Sequence, residues 1–126
     1  MTRAAHVQVR NARHALADLA ASFFRNPSHH LKIAAVTGTN GKTTTTFLIK
    51  HICDVELMRC GLLGTVRYVV GDRELPATRT TPESADVQEL LWQMRSAGCK
   101  ACALEASSHA MVQERLRGVE IDVAVF

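Results

Sequence analysis

The segment Val36-Thr37-Gly38-Thr39-Asn40-Gly41-Lys42-Thr43-Thr44 constrains this chain most. It joins a short unbroken apolar run, Leu31 to Val36, to residues 42–53, where Phe47, Leu48 and Ile52 recur at helical spacing. An apolar run without alternation reads as a strand buried on both faces. The order is therefore strand, glycine loop, helix. In that setting glycines let backbone N–H groups approach an anion, and the helix N-terminus supplies a positive field. Lys42 is placed to reach β- and γ-phosphates, and the Thr43 hydroxyl to sit on Mg²⁺. The strict GxxxxGK[ST] spacing is not met. Val36 stands where its first glycine belongs, and the glycine comes at Gly38, three residues before Gly41. A Gly-Lys turn that only caps a helix is the plainer alternative, but it leaves the combination of two glycines, Lys and Thr unexplained.

The rest of the chain alternates in the same way. Leu16, Leu19, Ala20, Phe23 and Phe24 mark an amphipathic helix, with Asn11 as its N-cap and Pro27 as its stop. Gly61 to Val70 reads as a strand, and Gly71-Asp72 as a turn into a short return through Leu75. Thr81-Pro82 opens a predicted helix through Ala97 with Val87, Leu90, Leu91 and Met94 on one face, and Gly98 ends it. Residues 99–104 read as a strand, 107–116 as a helix and Ile121 to Phe126 as a last strand. Strands alternating with helices imply an α/β fold, a mostly parallel sheet with helices on both faces. Functional loops then follow the C-terminal ends of the strands. Stopping on an apolar strand, the sequence is expected to expose an edge at Val123, Val125 and Phe126.

Of the 126 residues 47% are hydrophobic and 21% charged, enough for one domain with its own core. A net charge of +3 suits a small anionic ligand and is too weak to point to nucleic acid. No apolar run reaches the ~18 residues of a membrane span. The CxxC of Cys99 and Cys102 lies on a strand-like run rather than at a helix start, and no further ligands complete a zinc site. With Cys53 and Cys60 these read as buried, reduced thiols, the expectation for a cytoplasmic protein.

Two further segments bear on chemistry. In Leu75-Pro76-Ala77-Thr78-Arg79-Thr80-Thr81-Pro82-Glu83, Thr80 and Glu83 fit a capping box and Pro82 a first helical turn. In Leu104-Glu105-Ala106-Ser107-Ser108-His109-Ala110-Met111, a carboxylate ends a buried strand, a costly place unless it is paired or binds a cation. Glu105 is thus a candidate Mg²⁺ ligand, with a salt-bridged or solvated strand-end Glu as the alternative. Ser107 or Ser108 can cap the following helix, and His109 can pack or bond locally.

TGTNGKTTTT resembles the ATP loop of the Mur ligase superfamily, which also contains folylpolyglutamate and cyanophycin synthetases. The folate enzymes usually carry Gly-Ser after the lysine, where this chain has Thr43-Thr44-Thr45-Thr46. LPAT-x-TTPE and E-x-S-S-H-A, with Gln113 and Arg115 downstream, resemble the UDP-N-acetylmuramoyl-tripeptide synthetases of that superfamily. The likeness covers almost the whole chain. It implies a P-loop NTPase-like Mur ligase central domain, truncated at its C-terminal end. The implied ATP site is Gly38, Thr39, Asn40, Gly41, Lys42, Thr43 and Thr44, with Lys42 and Glu105 catalytic and Thr43 and Glu105 on Mg²⁺. Thr80, Thr81, Ser107, Gln113 and Arg115 would contact the muramyl substrate. Arg79 stands where some relatives place a substrate-contacting Asn, so that contact is not carried over, and His109 is carried as a motif residue without a role.

The resemblance further implies an ATP-dependent acid–amino acid ligase. It would add lysine or meso-diaminopimelate to UDP-N-acetylmuramoyl-L-alanyl-D-glutamate through an acyl phosphate, without nucleic acid or membrane. Residues 1–126 would be a partial central domain, with the N-terminal uridine-holding and C-terminal amino-acid-selecting domains absent and carried on a longer or separate chain. The alternatives are an ATP-binding module without ligase activity alone, or another Mur-type ligase such as a cyanophycin synthetase.

Overall fold

The computed structural model describes residues 3–126. Helix α1 (Ala12–Phe23) begins where Asn11, in extended conformation, accepts the His14 N–H, as its sequence predicts. Its inward face differs from the predicted stripe. Ala17, Ala20 and Ala21 are buried, while Leu16, Leu19 and Phe23 are 52%, 67% and 79% exposed. Alanines let α1 lie close against α3 (Ser84–Ser96), and the larger side chains splay outward. A single 3-10 turn at Pro27–His30 leads into β1 (Lys32–Val36), followed by the glycine loop and α2 (Lys42–Val55). On α2 the inner residues are Thr46, Phe47, Ile49 and Cys53, and Leu48 and Ile52 face outward.

The run from Gly61 to Val70 is two strands, not one. β2 (Cys60–Leu63) reverses at Gly64-Thr65-Val66 into β3 (Arg67–Val70), which pairs with it antiparallel, and β4 (Arg73–Pro76) continues the meander. Helix α3 starts later than predicted. Glu83 is its N-cap residue with no side-chain cap bond, so Thr80 and Glu83 form no capping box and Pro82 lies before the helix. The reason is tertiary: the Thr81 hydroxyl donates to the Glu105 carbonyl, and Arg115 holds the Thr81 carbonyl, which keeps residues 80–82 out of the helix. The end of α3 is as predicted. Gly98, in the left-handed region, donates to the Arg95 carbonyl and Cys99 to that of Met94, the paired bonds of a glycine-terminated helix.

β5 is Ala101–Glu105, so Glu105 belongs to the strand itself. The predicted helix over 107–116 is shorter, α4 (Ser108–Val112), with Ser107 as N-cap accepting the Ala110 N–H, and turns follow. β6 is confined to Val123–Val125. The sheet order is β4-β3-β2-β5-β1-β6, with β2, β5, β1 and β6 mutually parallel. Helices cover both faces. Ile33, Ala35, Leu63, Tyr68, Cys102 and Leu104 pack toward α3, and Cys60, Leu62, Val69, Ala101 and Ala103 pack toward α2. At the β6 edge Val123 and Phe126 are exposed and Val125 half-buried. All four cysteines are free thiols. Burial pushes the Cys60 thiol up to about 12 and that of Cys102 well above its usual value, so neither is poised for redox or metal chemistry. No helix among the described residues is long and apolar enough to cross a membrane.

Candidate functional site

Parallel pairing sets Val36 beside Glu105 and Leu63 beside Leu104. The C-terminal ends of β1, β2 and β5 are therefore neighbours, and their loops converge. Gly38 and Gly41 both have positive φ, with open space where a Cβ would stand. Gly41 is also the N-cap residue of α2 and offers no side-chain cap, so the first N–H groups of that helix are left for a ligand or water. Lys42 folds back over this loop. Its Nζ donates to the Gly38 carbonyl at 2.8 Å and makes no ion pair with a described carboxylate. Such a weakly held ammonium is available to an anion arriving at the helix start.

Glu105 lies across the loop from Lys42 and Thr43 and is 1% exposed. The Thr43 hydroxyl donates to its Oε1 at 2.9 Å, joining the glycine loop and the strand end directly. Oε1 also accepts the Thr65 N–H at 3.0 Å, and Oε2 accepts the Thr65 hydroxyl at 2.9 Å. Thr65 Oγ1 in turn lies 3.0 Å from Thr80 Oγ1. With its one proton on Glu105, the Thr65 hydroxyl receives that of Thr80. Among the described residues, no Lys, Arg or His forms an ion pair with Glu105. The salt-bridge alternative for Glu105 is thereby set aside. The two oxygen-bearing side chains Thr43 and Glu105 form the hard donor set that Mg²⁺ favours.

The remaining predicted residues divide into two groups. Thr80 and Ser107 line the same hollow of about 280 Å³ as Thr39–Thr44 and Glu105. Thr81, Gln113 and Arg115 are engaged inside the protein. Arg115 is 5% exposed and donates to the Thr81 carbonyl at 3.1 Å and to Gln113 Oε1 at 2.7 Å, with Glu83 at 3.1 Å. The Thr81 hydroxyl also accepts the Ser107 N–H at 3.1 Å. These residues fix the loops that carry Thr80 and Ser107. His109 is exposed on α4 and does not line the hollow. Sequence reasoning missed Thr65. Only the Gly-Thr pair after an apolar run hinted at a strand end there.

Residues 36–126 match the family described as the Mur ligase middle domain. The chain is 50% identical over 124 residues to a UDP-N-acetylmuramyl-tripeptide synthetase of Deinococcus radiodurans, covering 96% of this chain and 25% of that protein. It is 42% identical over 120 residues to a UDP-N-acetylmuramoyl-L-alanyl-D-glutamate--2,6-diaminopimelate ligase of Clostridium tetani, covering 95% of this chain and 25% of that protein. A solved structure of a ligase of the latter name superposes with a TM-score of 0.76 at 30% identity, over 95% of this chain and 26% of that one. The chain spans about a quarter of the length of these relatives.

Proposed function

The chain belongs to the Mur ligase family through its middle domain, and from that premise we propose that it forms the nucleotide- and metal-binding part of an ATP-dependent acid–amino acid ligase. The reaction we assign to the whole enzyme is addition of the third residue, lysine or meso-diaminopimelate, to UDP-N-acetylmuramoyl-L-alanyl-D-glutamate. The names of the relatives support this substrate, and the uridine-holding and amino-acid-selecting parts of such an enzyme belong to other segments.

The observation that carries the proposal is the hydrogen bond from Thr43 to Glu105. It brings a helix-start loop with a mobile ammonium and a buried carboxylate to one strand edge. In the proposed state Gly38–Thr44 wrap the phosphates with backbone N–H groups, and Lys42 leaves the Gly38 carbonyl for the terminal phosphates. Thr43 through its hydroxyl oxygen and Glu105 through its carboxylate would hold a Mg²⁺ ion, which would neutralise phosphate charge. Thr80 and Ser107 present hydroxyls to the acidic substrate, while Thr81, Gln113 and Arg115 hold the two loops in register. Little covalent chemistry is asked of the protein. Orientation and charge neutralisation supply the effect.

Titration of a fluorescent ATP analogue with Mg²⁺ tests this. Lys42→Ala should weaken binding about 10- to 100-fold, the equivalent of one charge-assisted hydrogen bond of about 1.5–3 kcal/mol, with an unchanged melting temperature. Equal binding by both proteins removes the loop assignment.

A further inference from the structure

We infer that Thr65 is a positioning residue. Its N–H and hydroxyl preset the Glu105 carboxylate for a divalent cation, and its contact with Thr80 ties that carboxylate to the loop of residues 77–82. This rests on the reading of Glu105 as a cation ligand.

The geometry singles out Thr65 among the donors to Glu105. Thr43 reaches only Oε1. Thr65 reaches both oxygens, the N–H on Oε1 and the hydroxyl on Oε2. Two donors from one residue on two oxygens fix the rotation of the carboxylate about its last bond. Thr65 is itself an exposed residue at the β2–β3 reversal, where water could satisfy its polar groups. Both are nevertheless directed at a carboxylate that is almost fully buried.

The residue before it is shaped to the same end. A Cβ on Gly64 would stand 2.5 Å from Glu105 Oε1, so the backbone of the bend abuts the carboxylate. The absence of that Cβ is what lets the Thr65 N–H reach it. Thr65 itself lines the hollow, and its hydroxyl lies 3.0 Å from the Oγ1 of Thr80, which lines it too. A change at Thr80 on substrate arrival is thus transmitted to the carboxylate by one intervening hydroxyl.

The test uses the 126-residue protein, Mn²⁺ as a paramagnetic probe and a non-hydrolysable ATP analogue. Water-proton relaxation reads Mn²⁺ affinity in the ternary complex, and fluorescence reads analogue binding without metal. Groups that orient a metal ligand typically contribute about 10- to 100-fold to metal affinity. Thr65→Val and Thr65→Ala should weaken Mn²⁺ about tenfold while leaving metal-free analogue binding and the melting temperature unchanged. Thr65→Ser, which keeps the hydroxyl, should bind Mn²⁺ within about twofold of the parent. Gly64→Ala should weaken Mn²⁺ at least as much as Thr65→Val.

Parent-like Mn²⁺ affinity in Thr65→Val and Thr65→Ala, alongside a loss in Glu105→Gln, overturns the role of Thr65 and leaves Glu105 as ligand. Equal losses with and without metal, or a fallen melting temperature, also overturn it, since Thr65 would then be structural. A parent protein that binds no metal with the analogue overturns both readings.

Discussion

Against one face of the sheet lies α3, itself covered by α1, with Val87, Leu91 and Met94 filling the space over Ile33, Leu63 and Leu104. Against the other lies α2 alone, over Cys60, Leu62, Ala101 and Ala103. Its inner residues Phe47, Ile49 and Cys53 are only partly buried. An apolar groove of about 380 Å³ remains beside it, bordered by Ile49, Cys53, Met58, Val123 and Val125. The alternation along β5 puts Glu105 on this second face, with Ala101 and Ala103. Small side chains there let α2 come close enough to set Thr43 on Glu105. Large side chains on the α3 face fill the core. One face is therefore built for burial, and the other for bringing a helix start to a strand end.

This contrast can be broken most directly from the α3 face. Leu91→Ala, at a fully buried position, should cost about 2–5 kcal/mol in urea unfolding without weakening nucleotide binding by the folded protein. A loss below ~1 kcal/mol would mean that the core is not concentrated there. On the α2 face, Ile49→Ala should cost less, about 1 kcal/mol, because Ile49 already keeps part of its surface in water. Matching losses from the two substitutions would erase the distinction.

The smallest effect concerns the edge beside the groove. Asp122 accepts the Ile33 N–H at 2.8 Å and pairs with Lys32 at 3.0 Å, and both hold its carboxyl below the ordinary range. Its contribution to stability is fully present above the unfolded-state value near ~3.9 and is lost as pH falls through the depressed folded value. Melting curves of Asp122→Asn and the parent should draw progressively together as pH falls below about 3.9. Curves that stay parallel would show that Asp122 does not anchor β6.

Much of the fold was legible because it rests on local pattern. The β1–loop–α2 unit, Asn11 at the start of α1 and Gly98 at the end of α3 each follow from residues within a few positions. What misled was long-range or subtle. In α1 the large apolar residues marked the wrong face, since close helix packing chose Ala17, Ala20 and Ala21. The apolar run from Gly61 to Val70 hid a reversal at Gly64–Val66, because no Asn-Gly or Asp-Gly pair announces it and Glu105, from another strand, holds it. Thr65 was invisible for the same reason. Thr80, Thr81 and Glu83 suggested a local cap, yet their partners are Thr65, Glu105 and Arg115. Thr43 and Glu105 could be named from sequence, but their meeting needed the strand order.

That strand order has a consequence for how the protein comes to be functional in time. Thr43 and Glu105 are 62 positions apart, and Thr65 and Glu105 are 40 apart. Their junction lies on β5, which must slot between β1 and β2 after both have been synthesised. Pairings of such span carry a large closure entropy and form slowly. A chain with its helices formed but β5 not yet inserted has a glycine loop without the carboxylate opposite it. On the proposed function, metal-dependent nucleotide binding would be a late event in maturation, and ligand present during refolding would select the completed topology by mass action.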